Sequence, residues 1–587
     1  MSLKNEPNTL GEKHPHDVPA YDNDKLGEHS SGQQFGHDPE DGAVVAGTQN
    51  VLHQDLKGRH MQMIAIGGAI GAGLFVGSGG AFQTGGPASV LLGFLIIGSY
   101  LMMQALAELS VMYPVNGAFT MYICRFVDPS LGFACAWEYA ISWLTVLPFE
   151  ISAACNIIHY WPGSEGINNS AWIVPLLVAL VAIQFFGVRG YGEASSPDVE
   201  FVLSIIKILA CTGFIILGIV INCGGVSTDP RGYIGAAYWH SPYTAFLNGF
   251  HGFCSVFVTA AFAYTGTELT GLAAAETANP RKEIPKASRQ VIFRIGFFYV
   301  VNLFIVGLIV PENSPLYTGE GSSSRHSPFV IAIQLAGIKA LPSIFNAVIL
   351  IAVMSVANSC TFGSTRTIQA LAANGMAPKF LAFIDKKGRP IYVVILQLLF
   401  GCLAFINLAK NGGTIFNWLL SLSGLSILFI YGSIALAHIR FRKAWLANGH
   451  SLDELPFRAA FGVWGSWVCL FINVISLIAQ FYVALYPVGG PYLDADTFFQ
   501  LYLAGPLLIF LYVCWKVYSW KYRPSDRPWF IRTRDIDIYT GMREEQRPIS
   551  GPGIPEEVRR ASIVELYGEK KKKGIKHYVL YPIKNLF

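Results

Sequence analysis

Two stretches of this sequence carry residues whose types and spacing could hold a small charged molecule. In GGAIGAGLFVGSGG, residues 67–80, seven of the fourteen positions are glycine. Each interior glycine costs a helix about 1 kcal/mol relative to alanine, so this segment makes a poor continuous helix. In TAAFAYTGTELTGLAAAE, residues 259–276, Gly266 stands between Thr265 and Thr267, with Glu268 just beyond. A helix that breaks frees backbone N–H groups on one side and carbonyls on the other. N–H groups around Gly71, Ala72 and Gly73 suit a carboxylate, and carbonyls around Phe262, Ala263 and Tyr264 suit an ammonium group. A ligand with both charges a short distance apart is an α-amino acid, although spacing alone admits another zwitterion. Packing is the competing explanation for the first stretch, because Gly67/Gly71 and Gly73/Gly77 are small-xxx-small pairs that let helices approach. A phosphate-binding or dinucleotide loop fails: the spacing is G-x-G-x-x-x-G, with no strand before it and no Lys-Ser/Thr after.

The elements that must position these residues are membrane helices. Of 587 residues, 52% are hydrophobic and 14% charged, where soluble proteins carry about 25% charged residues. Mean hydropathy is +0.42. Apolar residues come in blocks of about 20, the length that crosses a hydrocarbon core about 30 Å thick. We therefore expect an all-α polytopic membrane protein with about 12 transmembrane helices. They cover 60–82, 87–112, 132–158, 171–188, 198–222, 247–274, 290–310, 342–372, 391–409, 414–437, 463–486 and 498–518. Basic residues gather in NPRKEIPKASRQ, APKFLAFIDKKGRP and HIRFRKAW, after spans 6, 8 and 10, whereas HYWPGSEGINNS and YPVGGPYLDADT have no Lys or Arg. This bias places both termini in the cytosol. The sequon Asn168-Asn169-Ser170 falls in a loop assigned outside.

Residues 1–56 read as a disordered cytosolic arm, 57–520 as the transmembrane domain and 521–587 as a cytosolic tail. The arm has no apolar core of a signal peptide, so no cleavage is expected. The run Lys570, Lys571, Lys572 and Lys573 reads as a solvated or headgroup-facing patch. The formal charge of +4 says little about partners, and the ten cysteines include no C-x-x-C pair. They read as small membrane hydrophobes; no cofactor, metal site or nucleic-acid partner is expected.

Spans 1 and 6 are the first members of two sets of five. Interruptions at corresponding places in two halves point to a transporter substrate site near the bilayer midplane. A carboxylate at that depth costs about 2.5–3.5 kcal/mol or more and is functional by default. Glu268 is therefore the first candidate to carry a proton, with Lys207 and Glu150 behind it. The alternatives are a snorkelling helix-end lysine for Lys207 and a buried structural hydrogen bond for Glu150. Glu108 and Glu138 read as structural or gating residues, and Arg366 as closing an inner gate or meeting headgroups. Asn358 and Ser359 either line the pathway or pin helices together.

From Leu56 to Tyr539 the chain resembles the fungal amino-acid permeases of the amino acid–polyamine–organocation superfamily, most closely their general amino-acid permease branch. The resemblance rests on LKGRHMQMIAIGGAIGAGLFVGSG, ALAELSVMYPVNGAFTMYICRFVDPSLGFACAWEY, FFGVRGYGEA, FAYTGTELTGLAAAETANPRKEIPKASRQVIFRI, LPFRAAFGVWGSW and AQFYVALYP in order. It implies a five-plus-five inverted repeat (LeuT-like) with two extra helices and spans 1 and 6 discontinuous. It also implies proton-coupled, broad-specificity uptake of L-amino acids across the plasma membrane. On the matching positions, Ile70, Gly71, Ala72, Gly73 and Leu74 form the carboxylate cradle. Phe262, Ala263, Tyr264, Thr265 and Gly266 form the amino-group side with an aromatic gate. Glu268 matches the family's acidic residue past the break, Lys207 its span 5 lysine, and Ser423 a Ser/Thr position that tunes specificity. Lys4, Lys13 and Lys25 become candidate acceptors for the ubiquitin ligase machinery. The chain departs from relatives that end in an aromatic-Cys motif, since it ends YPIKNLF.

The implied partners are an amino-acid substrate, protons and membrane lipids. A narrow permease for proline, neutral or basic amino acids is the alternative, as is a transporter that also acts as a nutrient receptor. No H-E-x-x-H, G-x-S-x-G or clustered carboxylate dyad suggests an enzyme.

Overall fold

The computed structural model describes residues 58–542, apart from 99, 165–166, 186–195, 278, 315–326, 386–388 and 409–411. The expected N-terminal arm, its lysines Lys4, Lys13 and Lys25, and the lysine run near the C-terminus lie outside these residues. Among the described residues the chain is helical and forms no strand. The first helices are α1 (Gly58–Ala69), α2 (Ser78–Ile97), α3 (Tyr100–Met112), α4 (Ala118–Phe126), α5 (Pro129–Ile158), α6 (Ser170–Phe185) and α7 (Ser196–Asn222). Then come α8 (Gly249–Tyr264), α9 (Leu269–Leu272), α10 (Pro280–Ile309), α11 (Pro328–Leu335) and α12 (Leu341–Ala373). The last are α13 (Ile391–Gly401), α14 (Gly412–Ala447), α15 (Gly462–Leu485), α16 (Ala495–Tyr502) and α17 (Ala504–Tyr522).

Among the described residues, seven helical stretches are long and apolar enough to cross a membrane, or eight if α16 and α17, bent by 73°, form one span. One of the seven, Met61–Met112, has 52 residues, more than twice the roughly 20 that one crossing needs. It is interrupted after Ala69 and again at Gly86, whose φ of 77° and ψ of 171° turn the chain before Pro87. The shorter apolar helices α6 and α13 fall below the same length, and α8 stops early because its span is broken. The outer face is apolar: Leu209, Phe471, Ile478 and Ile509 are all more than 60% exposed, as a lipid-facing surface requires. This is a polytopic all-α membrane protein.

Helix starts follow local chemistry. Asp128 accepts a hydrogen bond from the Ser130 N–H and is followed by Pro129. Asn279 does the same for Lys282 ahead of Pro280. Such caps satisfy donors that a helix N-terminus otherwise leaves open. As a result NPRKEIPKASRQ, expected as a loop, opens α10, and HIRFRKAW continues α14 to Ala447. Helices α4 and α11 were not anticipated.

The central helix is α5, packed most heavily on α12 and α14, while α2 packs on α8. The segment after residue 520, expected as a tail, begins docked on the helices. Ile531 N–H donates to Val127 O, Tyr113 Oη to Ile538 O at 2.8 Å, and Lys516 Nζ bonds both Asp128 and Pro528 O.

Candidate functional site

Both glycine-bearing spans are broken where the sequence suggests. The first helix ends at Ala69, and the chain resumes as a π-helical turn over Gly73–Gly77. The second ends at Tyr264 and restarts at Leu269, with Gly266 at φ +104° between them, a conformation that favours glycine. The two breaks cross in backbone contact. A Cβ on Gly266 would stand 2.7 Å from the Gly68 carbonyl carbon, and one on Gly73 would stand 2.8 Å from Ala263 Cα. Close packing of one break against the other therefore accounts for glycine at both positions.

Beside the crossing lies a small cavity, lined by Gly68, Gly71 and Gly73 on one side and Phe262 and Thr265 on the other. Trp143, Val146 and Glu150 of α5 and Val356 of α12 complete the wall. Glu150 is 1% exposed, Trp143 1%, and Phe262, Thr265 and Val356 5% each, so these lining residues are buried. Ile70, Ala72 and Leu74 are fully buried in the first break.

The charged candidates separate clearly. The Glu150 carboxylate takes a hydrogen bond from the Ala72 backbone N–H and feels the charge of Lys207. Its Oε2 has no hydrogen-bond partner among the described residues. Lys207 does not snorkel; it is fully buried and its Nζ donates to Gly67 O at 2.6 Å. Glu268 is not among the cavity-lining residues. It accepts from Tyr139 Oη at 2.8 Å, Tyr431 Oη at 3.0 Å and the Gly266 N–H at 3.0 Å.

The expected ammonium side is more occupied than the sequence suggests. Phe262 O accepts from the Thr265 N–H, Ala263 O from Tyr299 Oη, and Tyr264 O from Thr267 Oγ1, with Tyr431 Oη sharing its one hydrogen between Tyr264 O and Glu268. Ser423 is buried and turned to α5, bonded to Ser142 O and Thr145 Oγ1, and is not among the cavity-lining residues. Its neighbour Gly424 packs against Phe262, 3.2 Å from Phe262 Cβ as an alanine would stand.

Other polar residues tie helices together. Glu108 accepts from both Arg442 Nε and Nη2 and from the Ala459 N–H, and it meets His438 at 3.0 Å. Arg366 pairs with Glu276, Nε to Oε1 at 2.6 Å, both side chains at most 4% exposed, rather than meeting headgroups. Glu138 is buried beside Ser426. Sequence reasoning passed over Trp143, Val146, Val356, Tyr139, Tyr299 and Tyr431. All six are apolar or aromatic in apolar spans, where no charge or spacing marks them.

Residues 60–527 match the family model described as amino acid permease. The chain is similar to the General amino-acid permease GAP1 of Saccharomyces cerevisiae, 48% identical over 88% of this chain and 84% of the relative. It is 50% identical to the General amino-acid permease GAP2 of Candida albicans, over 84% of this chain and 82% of the relative. It is 49% identical to the Cationic amino acid transporter 1 of Schizosaccharomyces pombe, again over 84% and 82%.

Proposed function

This chain belongs to the amino acid permease family, and from that premise we propose that it is a plasma-membrane symporter importing L-amino acids of broad range with protons. The observation that carries the reading is the crossing of the two breaks beside a small cavity with Glu150 in its wall. Broad range draws support from likeness to two relatives named as general permeases. Among the described residues, helices fall on each of the twelve apolar blocks of the sequence, which fits twelve crossings. The basic residues after blocks 6, 8 and 10 favour cytosolic termini, and breaks in the first and sixth blocks fit a five-plus-five inverted repeat with two further helices.

In the proposed cycle the substrate carboxylate enters the first break, where the Ala72 N–H already faces Glu150. Two carboxylates side by side repel unless a proton lies between them. Substrate and proton therefore arrive together, and Glu150 can take that proton on its unpartnered oxygen without breaking a bond. Protonating Glu268 instead requires one tyrosine hydroxyl to turn away. Glu268 is thus the second coupling candidate and holds its break closed; Lys207 anchors the first break through Gly67 O.

The test is uptake of a labelled amino-acid panel at pH 5 and pH 7.5 in cells lacking their own permeases, with wild type, Glu150→Gln and Glu268→Gln. Accumulation of many classes, driven by low external pH and lost in Glu150→Gln, is expected. Uptake of basic or proline substrates alone would replace broad range with a narrow permease, and no accumulation would overturn transport.

A further inference from the structure

Tyr299 of α10 stands where the two broken spans cross. Its hydroxyl lies 2.7 Å from Ala69 O, the last carbonyl of α1, and 2.7 Å from Ala263 O, near the end of α8. Both distances are those of good O–H···O hydrogen bonds. A helix that stops leaves its last carbonyls without intrahelical donors, so each break offers an acceptor of this kind. A phenol has one hydrogen, and the two carbonyls share it.

The ring that carries this hydroxyl is held independently. Tyr299 is fully buried, packed at 5.0 Å against the Tyr264 ring and at 6.1 Å against Phe94. Removing the oxygen leaves the ring and its contacts in place. Around it, Gly73 meets Ala263 and Gly266 meets Gly68 with no room for a methyl group, so the two segments lie in one fixed register.

We propose that Tyr299 is a positioning residue: by bonding Ala69 O and Ala263 O together it fixes the separation between the carboxylate-binding and ammonium-binding halves of the site. It rests on the amino-acid transport reading above. Its consequence is a preference for ligands whose two charges are separated as in an α-amino acid. A β-amino acid places them one methylene further apart and fits the fixed register less well.

The experiment compares L-alanine and β-alanine in wild type and Tyr299→Phe, with uptake normalised to protein at the cell surface. In Tyr299→Phe the KM for L-alanine is expected to rise about tenfold at nearly unchanged Vmax, and the L-alanine to β-alanine efficiency ratio to fall at least about threefold. The same ligands are compared on purified full chain, by the concentration that half-maximally raises the melting temperature, so that a trafficking defect cannot mask the result. An unchanged KM for L-alanine, or equal losses for both ligands, would overturn the proposal. Wild type that takes up neither ligand would instead overturn the transport reading.

Discussion

Replacing Gly73 by alanine tests the crossing directly. The new methyl carbon would stand 2.8 Å from Ala263 Cα, 3.0 Å from Phe262 Cδ1 and 3.2 Å from Ala263 Cβ. The nearest of these is backbone, which cannot swing aside, so the two broken segments must part. Overpacking of this kind costs about 1–3 kcal/mol, which is about 5- to 150-fold in an equilibrium constant. Gly80, seven residues on in the same glycine-rich run, is the internal control: a methyl there meets nothing within 4 Å. Inside α2 an alanine should instead strengthen the helix by up to about 1 kcal/mol. Gly77, whose methyl would sit 3.4 Å from Thr259 Cγ2, should tolerate alanine with little effect. The assay is the KM for a labelled neutral amino acid, normalised to surface protein, in the three variants. Gly73→Ala should raise it by at least about fivefold, by the same overpacking range, while Gly80→Ala leaves it unchanged. Equal damage from both substitutions would mean that the glycines serve helix flexibility in general, and the argument from contact would fall.

Two further predictions concern charges away from the cavity. Arg366→Met leaves the Glu276 carboxylate buried without its guanidinium, a change that costs about 3–5 kcal/mol. Arg366→Met combined with Glu276→Leu should recover much of the melting temperature in detergent, and equal losses in the single and double variants would refute this. Asp229, in the loop after α7, is bound by Arg231 Nη2 at 2.7 Å and Nε at 2.9 Å. Burial works against its charge, but the Arg231 bonds prevail and hold the carboxyl below its ordinary 3.8. A carboxyl lowered in the folded state stabilises above its unfolded value and loses that stabilisation as pH falls through the folded one. Asp229→Asn should therefore lower the melting temperature at pH 7, and the gap to wild type should narrow as the medium is taken to pH 3; a gap independent of pH would contradict the assignment.

What could be read in advance was whatever glycine or charge makes conspicuous. Gly71, Gly73 and Gly266 marked both breaks because glycine is costly in a helix, and Gly266 occupies a backbone conformation other residues avoid. Glu268 stood out as a carboxylate in an apolar run. What its carboxylate does depends on Tyr139 and Tyr431, which approach from α5 and α14; nothing in a single apolar helix says which of its faces meets another. The same holds for Trp143, Val356 and Tyr299. The start of α10 was legible and was missed: Asn279 followed by Pro280 is a helix opening, but the basic residues after it look like a loop. The docked segment beyond α17 joins positions such as Tyr113 and Ile538 that are too far apart in the chain for local pattern to connect them.

The two halves of the proposed site differ in what an arriving amino acid would have to change. On the ammonium side every expected carbonyl already has a donor, yet each carbonyl oxygen has two lone pairs. An ammonium group can thus add to those bonds without displacing them. On the carboxylate side the Ala72 N–H is already directed at Glu150, and a backbone N–H has only one hydrogen to give. A substrate carboxylate must share or displace that bond, bringing a second negative charge against Glu150. The free energy of loading is therefore most sensitive to protonation at the carboxylate end. For that reason the proposed coupling is placed on Glu150 and not on Glu268, the more conspicuous acid in the sequence.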